Sequence, residues 1–161
     1  MTKIQNKKIL YLILLFAFFA LTFALFVEYI LGHQPCNLCL FERIPYITTI
    51  IIISFCLFFK KYEKIILFIL SLIFLFSVLL SFYHFGIEQG FIKESLVCDL
   101  NSQNRNLTTE DLLKELKEKT ISCKDVTFKI FGLSLATINI IVSLILSVIT
   151  IKLFLNYEKN K

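Results

Sequence analysis

Four long apolar runs dominate the pattern along the chain, at about Ile9 to Leu31, Ile44 to Phe59, Ile65 to Phe85 and Ile130 to Ile151. Each is near the roughly 20 residues that an α-helix needs to cross a hydrocarbon core. The polar breaks between them are unequal. A very short link around Gly32-His33-Gln34-Pro35 separates runs one and two, and Lys60-Lys61-Tyr62-Glu63-Lys64 joins runs two and three in what must be an antiparallel hairpin. A long polar segment from about Gly86 to Lys129 precedes run four. The pattern predicts an all-α integral membrane protein, one domain over residues 1–161, built as a four-transmembrane-helix bundle with a long extracytoplasmic loop between helices three and four. Run two is the shortest, and starting its helix at the cysteines before it brings it to spanning length. Pro45 should bend or restart that helix, because it removes one backbone hydrogen bond.

Composition agrees with a bilayer setting: 57% of residues are hydrophobic, 18 are Phe and mean hydropathy is +0.78, too apolar for a soluble chain of this size. The basic start and the small residues Ala17, Ala20 and Ala24 have the look of a signal peptide. The apolar stretch is longer than such a segment uses and three more follow, so an uncleaved first helix is expected.

Charge adds orientation. A formal net charge of +5 would suit a nucleic-acid partner, but its distribution excludes one. Lys3, Lys7 and Lys8 precede run one, Lys60, Lys61 and Lys64 sit between runs two and three, and Lys152, Lys159 and Lys161 close the chain, while the long loop carries no basic patch. By the positive-inside rule these three segments are cytoplasmic, which puts both termini inside.

That orientation sorts the five cysteines. Cys36, Cys39, Cys98 and Cys123 fall on the outer side, where two pairs read naturally as disulfides. Cys56 lies within run two and reads as a small apolar filler. In the long loop, Thr108 or Thr109 can cap a short helix whose Leu112, Leu113 and Leu116 form one apolar stripe. All four glycines, Gly32, Gly86, Gly90 and Gly132, lie at outer boundaries of the spans.

The candidate chemistry centres on Pro35-Cys36-Asn37-Leu38-Cys39-Leu40-Phe41-Glu42-Arg43. On a helix the two cysteines share a face. Arg43, four residues beyond Cys39, would stack over its sulfur, and the helix N-terminus adds positive potential; both favour the reactive thiolate. Pro35 suits the first helical position. His33 suits a hydrogen-bonding role at the interface, and Glu28 and Glu88 read as solvated helix ends. Two dithiol pairs at a membrane surface can pass a disulfide between them by thiolate attack on sulfur. The loop pair can reach a soluble partner, and the pair at the lipid boundary can reach an acceptor dissolved in lipid, of which a quinone is the obvious one.

The order C-x-x-C-x-x-Glu-Arg at the head of span two, Tyr83-His84 at the end of span three, then Cys98, Cys123 and Phe131-Gly132-Leu133-Ser134 leading into span four, resembles the disulfide-bond formation protein B (DsbB) family over nearly the whole chain. In vitamin K epoxide reductase-like proteins, which share a related bundle, the loop cysteines precede the C-x-x-C instead. The DsbB resemblance implies a bacterial inner-membrane protein that re-oxidises a periplasmic thioredoxin-fold disulfide oxidase at the expense of ubiquinone or menaquinone. It implies that Cys98 forms the mixed disulfide with the partner, that Cys123 links transiently to Cys36, and that Cys39 is left as a thiolate against the quinone, held by Arg43. Glu42 neighbours that arginine, and His84 borders the quinone pocket. The alternative is a membrane protein with static disulfides or a metal-binding role. Against four-cysteine zinc, Cys98 and Cys123 have 24 residues between them rather than two to four, so no metal site is expected.

Overall fold

The computed structural model describes residues 3–58, 63–93, 98, 122–124, 128–130 and 132–159. The elements are α1 (Lys3–Tyr29), α2 (Asn37–Phe41), α3 (Ile44–Phe58), α4 (Glu63–Glu88), a hairpin of β1 (Lys129–Ile130) and β2 (Leu133–Ser134), and α5 (Leu135–Lys159). Among the described residues, four segments are long and apolar enough to cross a membrane: Lys7–Tyr29, Asn37–Leu57, Lys64–Glu88 and Leu135–Asn156. The protein is thus a mostly helical, multi-pass membrane protein. The loop helix expected around Thr108 to Leu116 lies outside the described residues.

The helices alternate in direction, so one end of the bundle carries the start of α1, the end of α3, the start of α4 and the end of α5, and the other carries the cysteine motif and the hairpin. α1 packs on α3, α3 on α4, and α4 most extensively on α5, whereas α1 and α5 barely meet. The tight α4–α5 pair follows from small residues at its seam. Ser77 and Ser81 on α4 and Ser143, Ser147 and Thr150 on α5 are all buried, and Ser77 and Ser143 share a hydrogen bond of 2.9 Å. In lipid, where apolar side chains gain little by leaving their surroundings, close backbone approach and such bonds are what hold helices together.

One stripe of α4 shows how the bundle changes along its length. Leu67, Leu70, Phe74, Ser77, Ser81 and His84 recur at three- and four-residue spacing and all are buried. Near the termini this stripe joins Leu10, Ile13, Ala17, Ile53, Cys56 and Leu153 in an apolar core, which places Cys56 as filler. Toward the cysteines it turns into hydroxyls and then an imidazole.

The second span is broken where the sequence suggests. α2 ends at Phe41 and α3 starts at Ile44; Arg43 N–H bonds to Leu40 O, and Arg43 O accepts from both Tyr46 and Ile47. Pro45 has no N–H to carry the ladder across the break. Span four begins at Leu135, five residues later than its apolar run, because Lys129 to Ser134 pair as an antiparallel hairpin with Gly132 at φ +82°. Ser134 then caps α5 by accepting the Thr137 N–H at 3.2 Å. Gly86 serves a different need. A Cβ there would come within 2.6 Å of the Ile92 Cδ1, where the chain after α4 folds back and Ile92 N–H bonds to Gly86 O.

Candidate active site at the cysteine end

Cys36 is the N-cap of α2, with extended backbone, and its sulfur accepts the Cys39 N–H at 3.3 Å. Pro35 therefore lies one residue outside the cap, not at the first helical position, because the thiol takes the capping role that starts the helix. The two sulfurs are 2.8 Å apart, with Cys36 buried and Cys39 half-buried. Behind Cys36 stands His84, buried on α4, whose Nε2 is 3.5 Å from the sulfur. Its Nδ1 is 2.9 Å from Glu42 Oε1, and since a carboxylate only accepts, Nδ1 carries the hydrogen and Nε2 is turned to the thiol.

The other Glu42 oxygen accepts from Asn139 Nδ2 at 3.2 Å, and the same amide nitrogen donates to Ser81 at 2.7 Å. Tyr46 in turn donates its hydroxyl hydrogen to Asn139 Oδ1. Glu88 Oε1 lies 3.8 Å from His84 Nε2, and Glu88 Oε2 accepts from Ser134. Buried polar groups persist when satisfied in this way. The Cys36 thiol is held below its ordinary range, at about 5, first by the Cys39 thiol that bonds to it and further by His84, which together outweigh the opposing effect of burial.

Two expectations are corrected by these contacts. Arg43 is not stacked on Cys39: the helix that would align them stops at Phe41, and the guanidinium instead pairs with Glu28 of α1 at 2.5 Å. Glu28 and Glu88 are not solvated ends, since one holds Arg43 and the other faces His84 and Ser134. Tyr46 and Asn139 had no assigned role, although polar side chains inside apolar runs are costly and signal function.

Cys98 and Cys123 form a disulfide. Both are buried in one cluster with Cys36, Leu38 and Ile87, against which Cys39, Leu80 and Tyr83 also pack. Cys39 also lines a cavity of about 260 Å³ between α1, α3 and α5. Phe16, Phe19, Phe23, Val27, Ile138 and Val142 form its apolar walls, and Cys39, Glu42, Arg43, Tyr46 and Asn139 supply its polar edge. His33 and Phe128, whose rings are 5.1 Å apart, also border it. His84 is not among its lining residues; it reaches the cavity only through Glu42. An apolar lining with a few polar groups gathered near a cysteine is the make-up of a small-molecule site.

A family model described as disulfide bond formation protein DsbB matches residues 6–153. An uncharacterized protein of Rickettsia prowazekii (strain Madrid E) is 30% identical over 161 residues, covering 98% of this chain and 93% of the relative. No solved structure matches. With two cysteine pairs in one buried cluster of a four-helix membrane bundle, the chain belongs to the DsbB family of disulfide-forming membrane oxidoreductases.

Proposed function

We propose that this protein is a quinone-dependent thiol oxidase that re-oxidises a periplasmic, DsbA-like dithiol protein. The observation that carries the reading is the placement of Cys39, which packs against the cluster holding Cys36, Cys98 and Cys123 and also lines the cavity. Disulfide exchange can therefore run on one side of the C-x-x-C and electron release on the other.

In this reading the partner's thiolate attacks Cys98, and Cys123 leaves as the free sulfur. Cys123 then attacks Cys36 of the oxidised C-x-x-C, and Cys39 leaves toward the cavity. Attack by the partner's second thiolate frees Cys98, which displaces Cys36 and restores the Cys98–Cys123 disulfide, so both electrons now reside on Cys36 and Cys39. Restoring the C-x-x-C disulfide releases two electrons and two protons. A bound ubiquinone or menaquinone supplies the acceptor for both. Arg43, Tyr46 and Asn139 would hold its polar edge, and the phenylalanines of α1 its ring and tail. His84, oriented by Glu42, accepts the Cys36 proton, which has no direct route to water because both groups are buried. The lysine pattern supports cytoplasmic termini and the family match a bacterial inner-membrane location; reporter fusions at the termini and at residue 104 would check the orientation.

The deciding experiment follows quinone absorbance with purified protein in detergent and a reduced thioredoxin-fold protein as donor. Turnover that disappears in Cys39→Ser is expected. No turnover with either quinone type, and thiols that never change state, would instead favour static cysteines.

A further inference from the structure

The C-x-x-C lacks a second pair at zinc-like spacing in the sequence, but the fold supplies a different third donor. Cys36 Sγ, Cys39 Sγ and His84 Nε2 all lie within 4.8 Å of one another. We propose that the reduced C-x-x-C and His84 form a binding site for a thiolate-preferring closed-shell cation of the Zn²⁺ or Cd²⁺ type, occupied only when the disulfide is open.

Four features support the site. Cysteines two residues apart at the start of a helix are a common chelating unit, and two thiolates with one imidazole suit such an ion. His84 presents Nε2 because its Nδ1–H is bound to Glu42 at 2.9 Å, the carboxylate–histidine arrangement that orients metal-binding imidazoles. Cys39, one of the three donors, lines the cavity, so an ion has an entry route. Finally, Arg43, next to Glu42 in the motif, is already paired with Glu28. The sulfurs, 2.8 Å apart, must spread by about 1 Å to hold an ion with metal–sulfur distances of ~2.3 Å. Rotation of Cys39, the less buried of the two, provides that movement.

Two thiolates balance the charge of one divalent ion, any proton still held by the donors is displaced to solvent, and binding needs no oxidant or reductant. Oxidation to the disulfide removes two of the three donors and expels the ion. Metal binding itself does not depend on the quinone reading. Only its consequence, a relay arrested while the ion is bound, rests on that reading.

The test uses a Cys98→Ser, Cys123→Ser double variant, so that the loop pair contributes no thiols, purified in detergent, reduced and freed of reductant without air. Titration with Cd²⁺ should produce the thiolate-to-cadmium charge-transfer absorption, saturating at one ion per protein and reversed by Zn²⁺. Adding His84→Gln should weaken the affinity at least about tenfold, and Glu42→Gln, which keeps the imidazole but loses its orienting carboxylate, should weaken it by about 10- to 100-fold. The same protein with Cys36 and Cys39 oxidised should show no band, a comparison that needs no further substitution. Absence of the band in the reduced protein, its persistence after oxidation, or equal affinity with and without His84 would each overturn the site. Quinone reduction that is blocked by Zn²⁺ and restored by a chelator would add the consequence; cadmium binding with quinone reduction undiminished would leave the site standing and overturn only the arrest, and absence of quinone reduction even without the ion would count against the quinone reading alone.

Discussion

The two halves of the α4 stripe obey different rules. Near the chain termini Leu67, Leu70 and Phe74 fill an apolar core with Leu10, Ile13 and Ile53. Three turns on, Ser81 and His84 occupy the same face and join Asn139 and Glu42 in a buried hydrogen-bonded network. One half of the bundle needs only shape, whereas the other needs particular atoms at particular distances. Substitution should therefore separate the two: changes in the apolar half alter whether the bundle holds, and changes in the polar half alter what it does.

Cys39→Ser should show the largest separation, lowering turnover by about 10³-fold or more, the scale on which loss of an essential nucleophile acts. Thermal unfolding in detergent should move by less than about 0.5 kcal/mol. Phe74→Ala is its mirror image. Removing a fully buried ring should cost about 3 kcal/mol in unfolding experiments, with turnover per folded molecule unchanged. If Phe74→Ala slowed the chemistry, the halves would not be independent.

A smaller effect sharpens the polar half. With Cys36 at about 5, its alkylation in the reduced protein should be flat above pH 6 and fall about tenfold per unit below pH 5, as the thiolate is lost. In His84→Gln the fall should begin at higher pH, because a group that favours the thiolate has gone. An unchanged profile would assign the effect to Cys39 alone. Smallest of all is Ser77→Ala, which removes the Ser143 bond at the boundary between the halves and should cost about 0.6 kcal/mol without altering turnover.

Much of this division was legible in the chain. Length and hydropathy mark four spans because a bilayer imposes both, and the motif from Cys36 to Arg43 stands out at the head of one of them. What the residues do to one another was less accessible. Arg43 was assigned to Cys39 on the assumption of an unbroken helix; the break before Ile44 lets adjacent residues turn to different partners, Glu42 to His84 and Arg43 to Glu28. Glu42 and Asn139 are 97 residues apart and meet only because α4 and α5 pack closely enough to bring the fourth span under the motif. No local pattern encodes that distance. A polar residue inside an apolar run, such as Asn139 or Tyr46, is the one signal that could have been followed.

The sparse contact between α1 and α5 has a consequence for how the acceptor must be counted. If the acceptor is the proposed membrane quinone, a cavity walled by two helices that barely meet would receive it sideways, from within the lipid leaflet, and the quantity that governs occupancy would be mole fraction in the hydrophobic phase and not molarity in the assay. Adding detergent at fixed quinone dilutes the acceptor even though its bulk concentration is constant. An apparent KM that rises in proportion to detergent is the kinetic signature of that doorway, and an acceptor made water-soluble by losing its tail should lose the dependence along with much of its affinity.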